Sequence, residues 1–412
     1  MTLLQTLNIN GKRLNQSLHD LAQIGRLENG GICRLAFSPE DWQGRELVRR
    51  WMVEAGLQVR IDTAGNMIGC LPGKLEAPAL ATGSHIDTVP CGGKFDGNLG
   101  VLAGIEVART LQENGLVLNH PYEVMVFSDE EDTMIGGRAM AGTASLNAAD
   151  YRRKDGRPID ECVNQFGGDW GHLAEARRTR QEVCAFVELH VEQGGVLEMA
   201  GKQIGVVQGV VGLQRYQIHI TGRPNHAGTT PMDQRQDALV AAAQVVLAVN
   251  RLAIDPPGHR VATVGALQVW PNAANIVPGQ VQASLDVRDL SQAVIDQLVA
   301  DLKVEMASIA QVTNTKIEIL PQLNVAPSPA ADHIQATIAE ASASLGLSFM
   351  AMPSRAGHDA LEMGRFTDMG MIFVPSEGGF SHSEVEYTSP EDCTHGANVL
   401  LETLLRLDRH YR

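Results

Sequence analysis

The sequence predicts an α/β protein: a larger layered unit with its site along one edge of a sheet, interrupted by a smaller ferredoxin-like α+β unit. Three observations predict it. Short apolar runs that end in polar residues alternate with helical patterns. Residues 212–327 follow the order β-α-β-β-α-β, the split βαβ arrangement. And 412 residues exceed what one hydrophobic core usually supports. The expected domains are 1–211 and 328–412, two parts of one larger domain, with 212–327 inserted between them.

Taken in order, Leu14, Leu18, Leu21 and Ile24 recur at helical spacing and predict an amphipathic helix ending near Gly25. Ser38-Pro39-Glu40-Asp41 is a helix start, with Ser38 as N-cap and proline in the first turn, and the helix stops at Gly56. Leu57 to Ile61 and Asn66 to Leu71 predict two strands around an Ala64-Gly65 turn. Ala79 to Thr82 predicts a buried strand leading to His85, Asn98 to Leu116 a helix, and Tyr122 to Phe127 a strand running into Ser128-Asp129-Glu130-Glu131-Asp132. Residues 149–180 are polar and predict a surface excursion with one short helix. Val183 to Leu189 is a strand that delivers His190, Glu192 and Gln193.

In the insertion, strands are expected at Leu213–Thr221, Val261–Val269, Gln280–Val287 and Lys316–Leu320, with helices at Asp237–Leu252 and from the Ser291 cap to Ile309. Pro327-Ser328-Pro329 reads as a linker. A helix from Asp332 to Leu345 and strands at Ser348–Met352 and Met371–Val374 follow, the last leading to Ser381-His382-Ser383.

The stretch Gly83 to Gly97 carries the first chemistry. Its glycines let the chain fold Asp96 back toward His85, and imidazole with carboxylate is what a divalent transition metal takes. Asp87, two residues after His85, could fix the ring's tautomer. The alternative is a loop with a capping aspartate and an incidental histidine. Four acidic residues after Phe127 could likewise be a solvated turn, but they leave a buried strand at the edge where the His85 strand also ends. Five residues, His85, Asp96, Glu131, His190 and His382, thus stand at or beyond strand ends, a set able to hold two metals with open positions for water.

Composition narrows the class. Hydrophobic content of 44% and charged content of 20% fit a globular protein, and a net charge of −15 without a basic stripe argues against nucleic acid as the main partner. Residues 1–10 lack the pattern of a secretory leader and no apolar run approaches a membrane span, so a cytoplasmic protein without a membrane partner is expected. Six scattered cysteines without a C-x-x-C pair read as reduced thiols, with Cys91 a packing residue rather than a nucleophile.

Six motifs together carry a resemblance: G-S-H-I-D-T-V-x-x-G-G-x-x-D-G, E-L-H-V-E-Q-G, N-H-A-G-T-T-P-M, A-N-I-V-P-G, A-G-H-D-A and S-H-S-x-x-E-Y-T. The chain resembles the hydantoinase/carbamoylase branch of the dinuclear-metal aminoacylase and carboxypeptidase family, over about residues 30–388. The resemblance implies an α/β/α, mixed-sheet, metallopeptidase-like catalytic domain whose inserted domain serves as dimerisation and lid element. It implies two divalent ions (zinc, manganese, cobalt or nickel) with Asp96 bridging, His85 and His190 completing one site, and Glu131 and His382 the other. Glu130 becomes the general base and Asp87 the carboxylate behind His85. His226 and Asn275 would stabilise the oxyanion, Arg288 would hold the substrate carboxylate, and Gln193 with the Gly357-His358 loop would line the pocket. On residues alone, Arg288 reads as a salt bridge with Asp286 or Asp289, and His226 as a turn residue.

The implied reaction is hydrolysis of the ureido C–N bond of an N-carbamoyl-L-amino acid by a homodimer, the substrate carrying ureido and carboxylate groups. Allantoate or a β-ureidopropionate are alternative substrates. An N-acyl amino acid hydrolase or dipeptidase, and an inactive small-molecule binding protein, are further readings. One departure bears on substrate choice: the loop after Glu131 is about five residues shorter than the branch's pattern, so the adjoining wall of the pocket must differ.

Overall fold

A computed structural model of the chain describes residues 7–256, 258 and 260–411. Residues 1–6, within the segment read for a secretory leader, lie outside the described residues. The chain divides into two compact units. One takes the described residues of Met1–Gly209 and Pro329–Arg412, the other Val210–Ser328.

The first unit is built on a mixed nine-stranded sheet. Four neighbouring strands, Tyr122–Phe127, Ala79–His85, Val183–Val191 and Asp368–Val374, run parallel. Met67–Leu71 flanks them antiparallel on one side, with Gln58–Ile61 antiparallel to it beyond, and Ile204–Val210 flanks them antiparallel on the other. The first three parallel strands are buried at every residue, as a sheet covered on both faces requires. Helix Asn98–Glu113, which follows the His85 loop directly, is buried along most of its length. Helix Pro39–Glu54 starts as its spacing predicts, Ser38 Oγ accepting from the Asp41 N–H at 3.1 Å.

Four features depart from the sequence expectations. Residues 149–180 do more than skirt the surface: helix Ile159–Gln165 turns Ile159, Cys162 and Val163 into a small core with Phe37, Phe166 and Leu173. Ile159, Cys162, Val163 and Phe166 recur at helical spacing, but the polar residues on either side mask so short a run. Ser328–Pro329, read as linker, adds a short strand beside Ile204–Val210, which had not been anticipated as a strand. The long helix Pro390–His410 was also not anticipated, although Ser389-Pro390 repeats the cap chemistry of Ser38-Pro39.

Arg34 is the largest side chain among the fully buried residues. Its Nε donates to the Ile86 carbonyl at 2.7 Å, Nη1 to the carbonyls of Leu21 and Ile24 at 3.1 and 3.0 Å, and Nη2 to Asn98 Oδ1 at 2.8 Å. One guanidinium therefore ties the end of helix Gly11–Leu21 to the loop after His85 and to the start of the Asn98 helix. All of these acceptors are neutral, so burial dominates and pulls the Arg34 pKa down to about 10.

The second unit is a four-stranded antiparallel sheet in the order Lys316–Val325, Gly212–Thr221, Gln280–Asp289, Val261–Trp270. Helices Ala238–Ile254 and Gln292–Thr313 pack on it through Ala241, Val245, Val249, Ile295, Leu298 and Leu302. Asp237 and Ser291 cap them by accepting from main-chain N–H groups in the first turn. A two-stranded ribbon, Asn225–His226 against Ile276–Val277, stands apart from this sheet.

Candidate metal centre

The parallel strands set the site in the first unit. Ala79–His85 ends in His85, Tyr122–Phe127 runs into Glu130 and Glu131, Val183–Val191 carries His190 one residue before its end, and the chain beyond Asp368–Val374 brings His382. These strands are neighbours, so their carboxyl ends share one edge. The glycine-rich loop folds back as its composition predicts. Gly97, at φ +65°, passes so close to the His85 ring that a Cβ there would lie 2.5 Å from Nε2.

Asp96 is the hub. Its Oδ1 lies 3.4 Å from His85 Nε2 and 3.3 Å from His190 Nε2, and its Oδ2 lies 3.3 Å from His382 Nε2. His382 Nε2 is also 3.7 Å from Glu131 Oε1, and Glu130 Oε2 is 3.7 Å from His85 Nε2. The five expected ligands thus form two groups that share Asp96, with Glu130 beside the first.

The donor chemistry fits a pair of divalent cations. His85 Nδ1 is 2.9 Å from the Asp87 carbonyl and His190 Nδ1 is 2.9 Å from the Val191 carbonyl. A carbonyl only accepts, so each Nδ1 holds a proton and each Nε2 turns toward Asp96. His190 Nε2 accepts the Gly97 N–H at 3.1 Å, which agrees. Lone pairs aimed at a carboxylate call for a cation between them. Separations of this size are also what donors sharing a tetrahedral ion at about 2.0–2.2 Å would have.

The same crowding sets the protonation of the cluster. Burial opposes ionisation of Asp96, but the neighbouring imidazoles of His190, His382 and His85 hold its carboxyl well below the usual range. The Asp96 hydrogen bond lifts His382 to about 9. Burial, with Asp96 adding to it, lifts Glu131 to about 7. Burial also drives Glu130 well above the ordinary carboxylate range; His85 pulls against this, and Asp359, Glu131 and Asp87 add to it.

Asp87 reaches His85 through its main-chain carbonyl, while its carboxylate stands 3.7 Å from Nδ1 and accepts the Glu131 N–H at 3.2 Å. Gln193, at φ +59°, donates from Nε2 to Asp96 Oδ2 at 2.7 Å. Gly357 is exposed, whereas the His358 ring is buried edge-on against His190 at 4.5 Å, with Nε2 2.8 Å from Ser354 Oγ.

In the second unit, His226 and Asn275 come together on the ribbon, where the Ala227 N–H donates to the Asn275 carbonyl at 2.9 Å. His226 Nδ1 accepts from the N–H groups of Gly228 and Thr229 at 3.0 and 3.2 Å, so its exposed ring carries the proton on Nε2. The Arg288 Nε donates to Asp286 Oδ1 at 2.9 Å, and Arg215 pairs with the other oxygen of Asp286.

Three buried acids near the cluster escaped the sequence reading. Glu386 accepts from the N–H groups of Phe95 and Asp96 at 2.9 and 3.2 Å, and its other oxygen is 3.0 Å from Ser381 Oγ, which also contacts Asp96. It is the glutamate of S-H-S-x-x-E-Y-T. Glu188, two residues before His190, takes hydrogen bonds from Ser84 Oγ at 2.6 Å and the Ala360 N–H at 2.9 Å. Asp359, in A-G-H-D-A, is fully buried with neither oxygen hydrogen-bonded, and burial reinforced by Glu188 drives its carboxyl well upward.

The shortened turn after Glu131 is tightly made. Asp129 and Met134 have positive φ, the Met134 N–H donates to the Asp129 carbonyl at 2.6 Å, and the Thr133 hydroxyl donates to the Asp129 carboxylate. Residues 153–155 strap it. Arg153 Nη1 meets Asp129 Oδ1 at 2.8 Å while its guanidinium lies over the Phe37 ring, and Lys154 Nζ donates to the Glu131 carbonyl at 3.2 Å.

Comparison with known proteins gives consistent results. The description "Peptidase family M20/M25/M40" matches residues 81–406, a span that contains all five ligand candidates. The N-carbamoyl-L-amino acid amidohydrolase of Geobacillus stearothermophilus is 41% identical over 405 residues, covering 97% of this chain and 99% of that protein. The allantoate amidohydrolase of Bacillus subtilis is 35% identical over 94% of this chain and 95% of its own length. A crystal structure of a hydantoinase/carbamoylase family amidase from Burkholderia multivorans superposes with a TM-score of 0.90 at 37% identity, covering 98% of each chain. With the edge-of-sheet ligand set, these matches place the chain in the peptidase family M20/M25/M40, in its hydantoinase/carbamoylase branch of amidohydrolases.

Proposed function

We propose that the protein is a dinuclear-metal amidohydrolase that cleaves the ureido C–N bond of an N-carbamoyl-L-amino acid, consuming one water and giving the amino acid, carbon dioxide and ammonia. The observation that carries this reading is Asp96 shared by three imidazoles, with Glu130 beside them. Divalent ions held there supply Lewis acidity toward the ureido carbonyl and acidity to water, which matters because two nitrogens donate into that carbon. Glu130 Oε2 takes the proton of the attacking water and delivers it to the departing nitrogen; burial raises its affinity for that proton. Asp87 and Val191 hold the two rings through their carbonyls, and Gln193 steadies Asp96.

To His226 we assign an Nε2–H donor for the developing oxyanion, with Asn275 beside it, and to Arg288 the substrate carboxylate, for which its planar fork is suited. On this assignment Arg288 exchanges part of its Asp286 contact when substrate arrives. The inserted unit also serves as a homodimer surface. Helix Ala238–Ile254 exposes Val240, Leu247 and Ile254 at successive intervals of seven, and Val261–Trp270 is an unpaired sheet edge exposing Leu267 and Trp270. Sedimentation equilibrium of a monomer would remove this part. The reading places the protein in the cytoplasm; among the described residues no helix is long and apolar enough to cross a membrane.

A substrate panel tests the reaction. N-carbamoyl-L-amino acids are expected to turn over, with activity lost on chelation and restored by zinc, manganese, cobalt or nickel. Turnover confined to N-acyl amino acids would sink the ureido reading, and tight binding without turnover would favour a binding protein.

A further inference from the structure

Between the His85 loop and the strapped turn lies a cavity of about 210 Å³. One side is apolar, made by Leu35, Ala36, Val89 and Pro90. Leu35 and Val89 are half-buried and Pro90 is exposed, so this wall can be reached. Glu131, a ligand candidate, and Asp87, whose carbonyl faces His85 Nδ1, also line the cavity, so the space adjoins the candidate centre.

The rest of the lining is charged and largely engaged with itself. Asp129 and Asp155 meet Arg153 at 2.8 and 3.1 Å. Arg153 Nη2 also donates to the Ala36 carbonyl at 3.1 Å, and the Lys154 N–H donates to Asp132 Oδ2 at 3.1 Å. The Thr88 hydroxyl is taken up by the Arg34 N–H and by the carbonyls of Ile32 and Val89. A polar group entering this space finds most of its counterparts committed, the exposed Lys154 ammonium apart, whereas an apolar group gains contact with the Leu35–Pro90 wall.

Resting on the ureido-hydrolase reading, we infer that this cavity receives the substrate's side chain and selects N-carbamoyl-L-amino acids with a large apolar side chain, aromatic or branched aliphatic. Size agrees: an apolar cavity of about 150 Å³ holds benzene, so a benzyl or isobutyl group fits here with room to spare. Only the N–Cα–Cβ path separates the ureido carbon from the side chain, which matches a cavity sharing Asp87 and Glu131 with the cluster. A second ureido group in place of the side chain, as in allantoate, would enter with its N–H groups and carbonyl unmatched.

The test compares kcat/KM of the metal-loaded enzyme on N-carbamoyl-L-phenylalanine, N-carbamoyl-L-leucine, N-carbamoylglycine and allantoate. The phenylalanine and leucine compounds should exceed the other two by about a hundredfold. Leu35→Trp and Val89→Phe, which fill the cavity, should each cut the phenylalanine-to-glycine ratio at least about tenfold; a ratio within one sample does not depend on how much of the variant folds. A glycine or allantoate preference, or a ratio unmoved in both variants, overturns the assignment. If no ureido compound is turned over, the reaction reading fails, and calorimetry of the products then decides the cavity. L-phenylalanine binding more tightly than glycine, and losing that advantage in Leu35→Trp, supports it; equal binding overturns it.

Discussion

Glu130→Gln is expected to lower kcat about a thousandfold while leaving metal content and KM near the wild-type values. The amide keeps the size and hydrogen-bonding reach of the carboxylate but has no site for the proton that must travel from water to nitrogen. Glu130 lies beside His85 and outside both ligand groups, so the ions should remain bound. Among its acidic neighbours, Glu131 and Asp96 are committed to the imidazoles, and Asp87 accepts a main-chain N–H. Single-turnover kinetics with elemental analysis of the same sample check this. Activity within tenfold of wild type, metals intact, would show that Glu130 is not the base.

The second large effect is expected at the hub. Asp96→Ala removes the one side chain that both candidate ligand groups share, and with it the carboxylate nearest to His85, His190 and His382. Elemental analysis should find both ions lost and turnover below detection; retention of two tightly held ions would overturn the shared-ligand assignment. In the wild type, metal uptake should depend on pH. With no cation bound, His382, at about 9, holds a proton at pH 7, and Glu131, at about 7, is partly protonated. Cations must displace those protons, so affinity should rise with pH by up to about tenfold per unit for each proton released, flattening near pH 9. Calorimetry in buffers of different ionisation enthalpy measures the release.

The candidate cluster was legible because parallel strands buried on both faces read as uninterrupted apolar runs, and a polar residue at the end of such a run is conspicuous. His85 and Glu131 follow runs of this kind, and the glycines between His85 and Asp96 announce the fold-back. The residues that support the ligands were harder to see. Glu188 lies inside a strand, where its neighbours disguise it, and its need for Ser84 and the Ala360 N–H emerges only when three segments meet. Glu386 stood in a quoted motif, yet its service to Phe95 and Asp96 crosses 290 residues of chain. Arg34 gave no signal because a buried arginine bonded to carbonyls leaves no charged partner in the sequence to find. Ser328–Pro329 was misread because two prolines around a serine are ordinary linker chemistry, while pairing with Ile204–Val210 depends on a strand more than a hundred residues earlier.

The way Val210–Ser328 interrupts the larger unit also orders events during synthesis. His85, Asp96, Glu131 and His190 emerge from the ribosome before the inserted unit begins, but His382 and the parallel strand Asp368–Val374 emerge only after all of it has been made. The insertion is continuous in sequence and carries its own core, so it can fold while the sheet on either side is still missing a central strand. A nascent chain can therefore offer at most the His85–Asp96–His190 half of the centre. The Glu131–His382 group is withheld until the chain has passed His382, which makes the complete cluster of candidate ligands a late product of folding rather than a template for it.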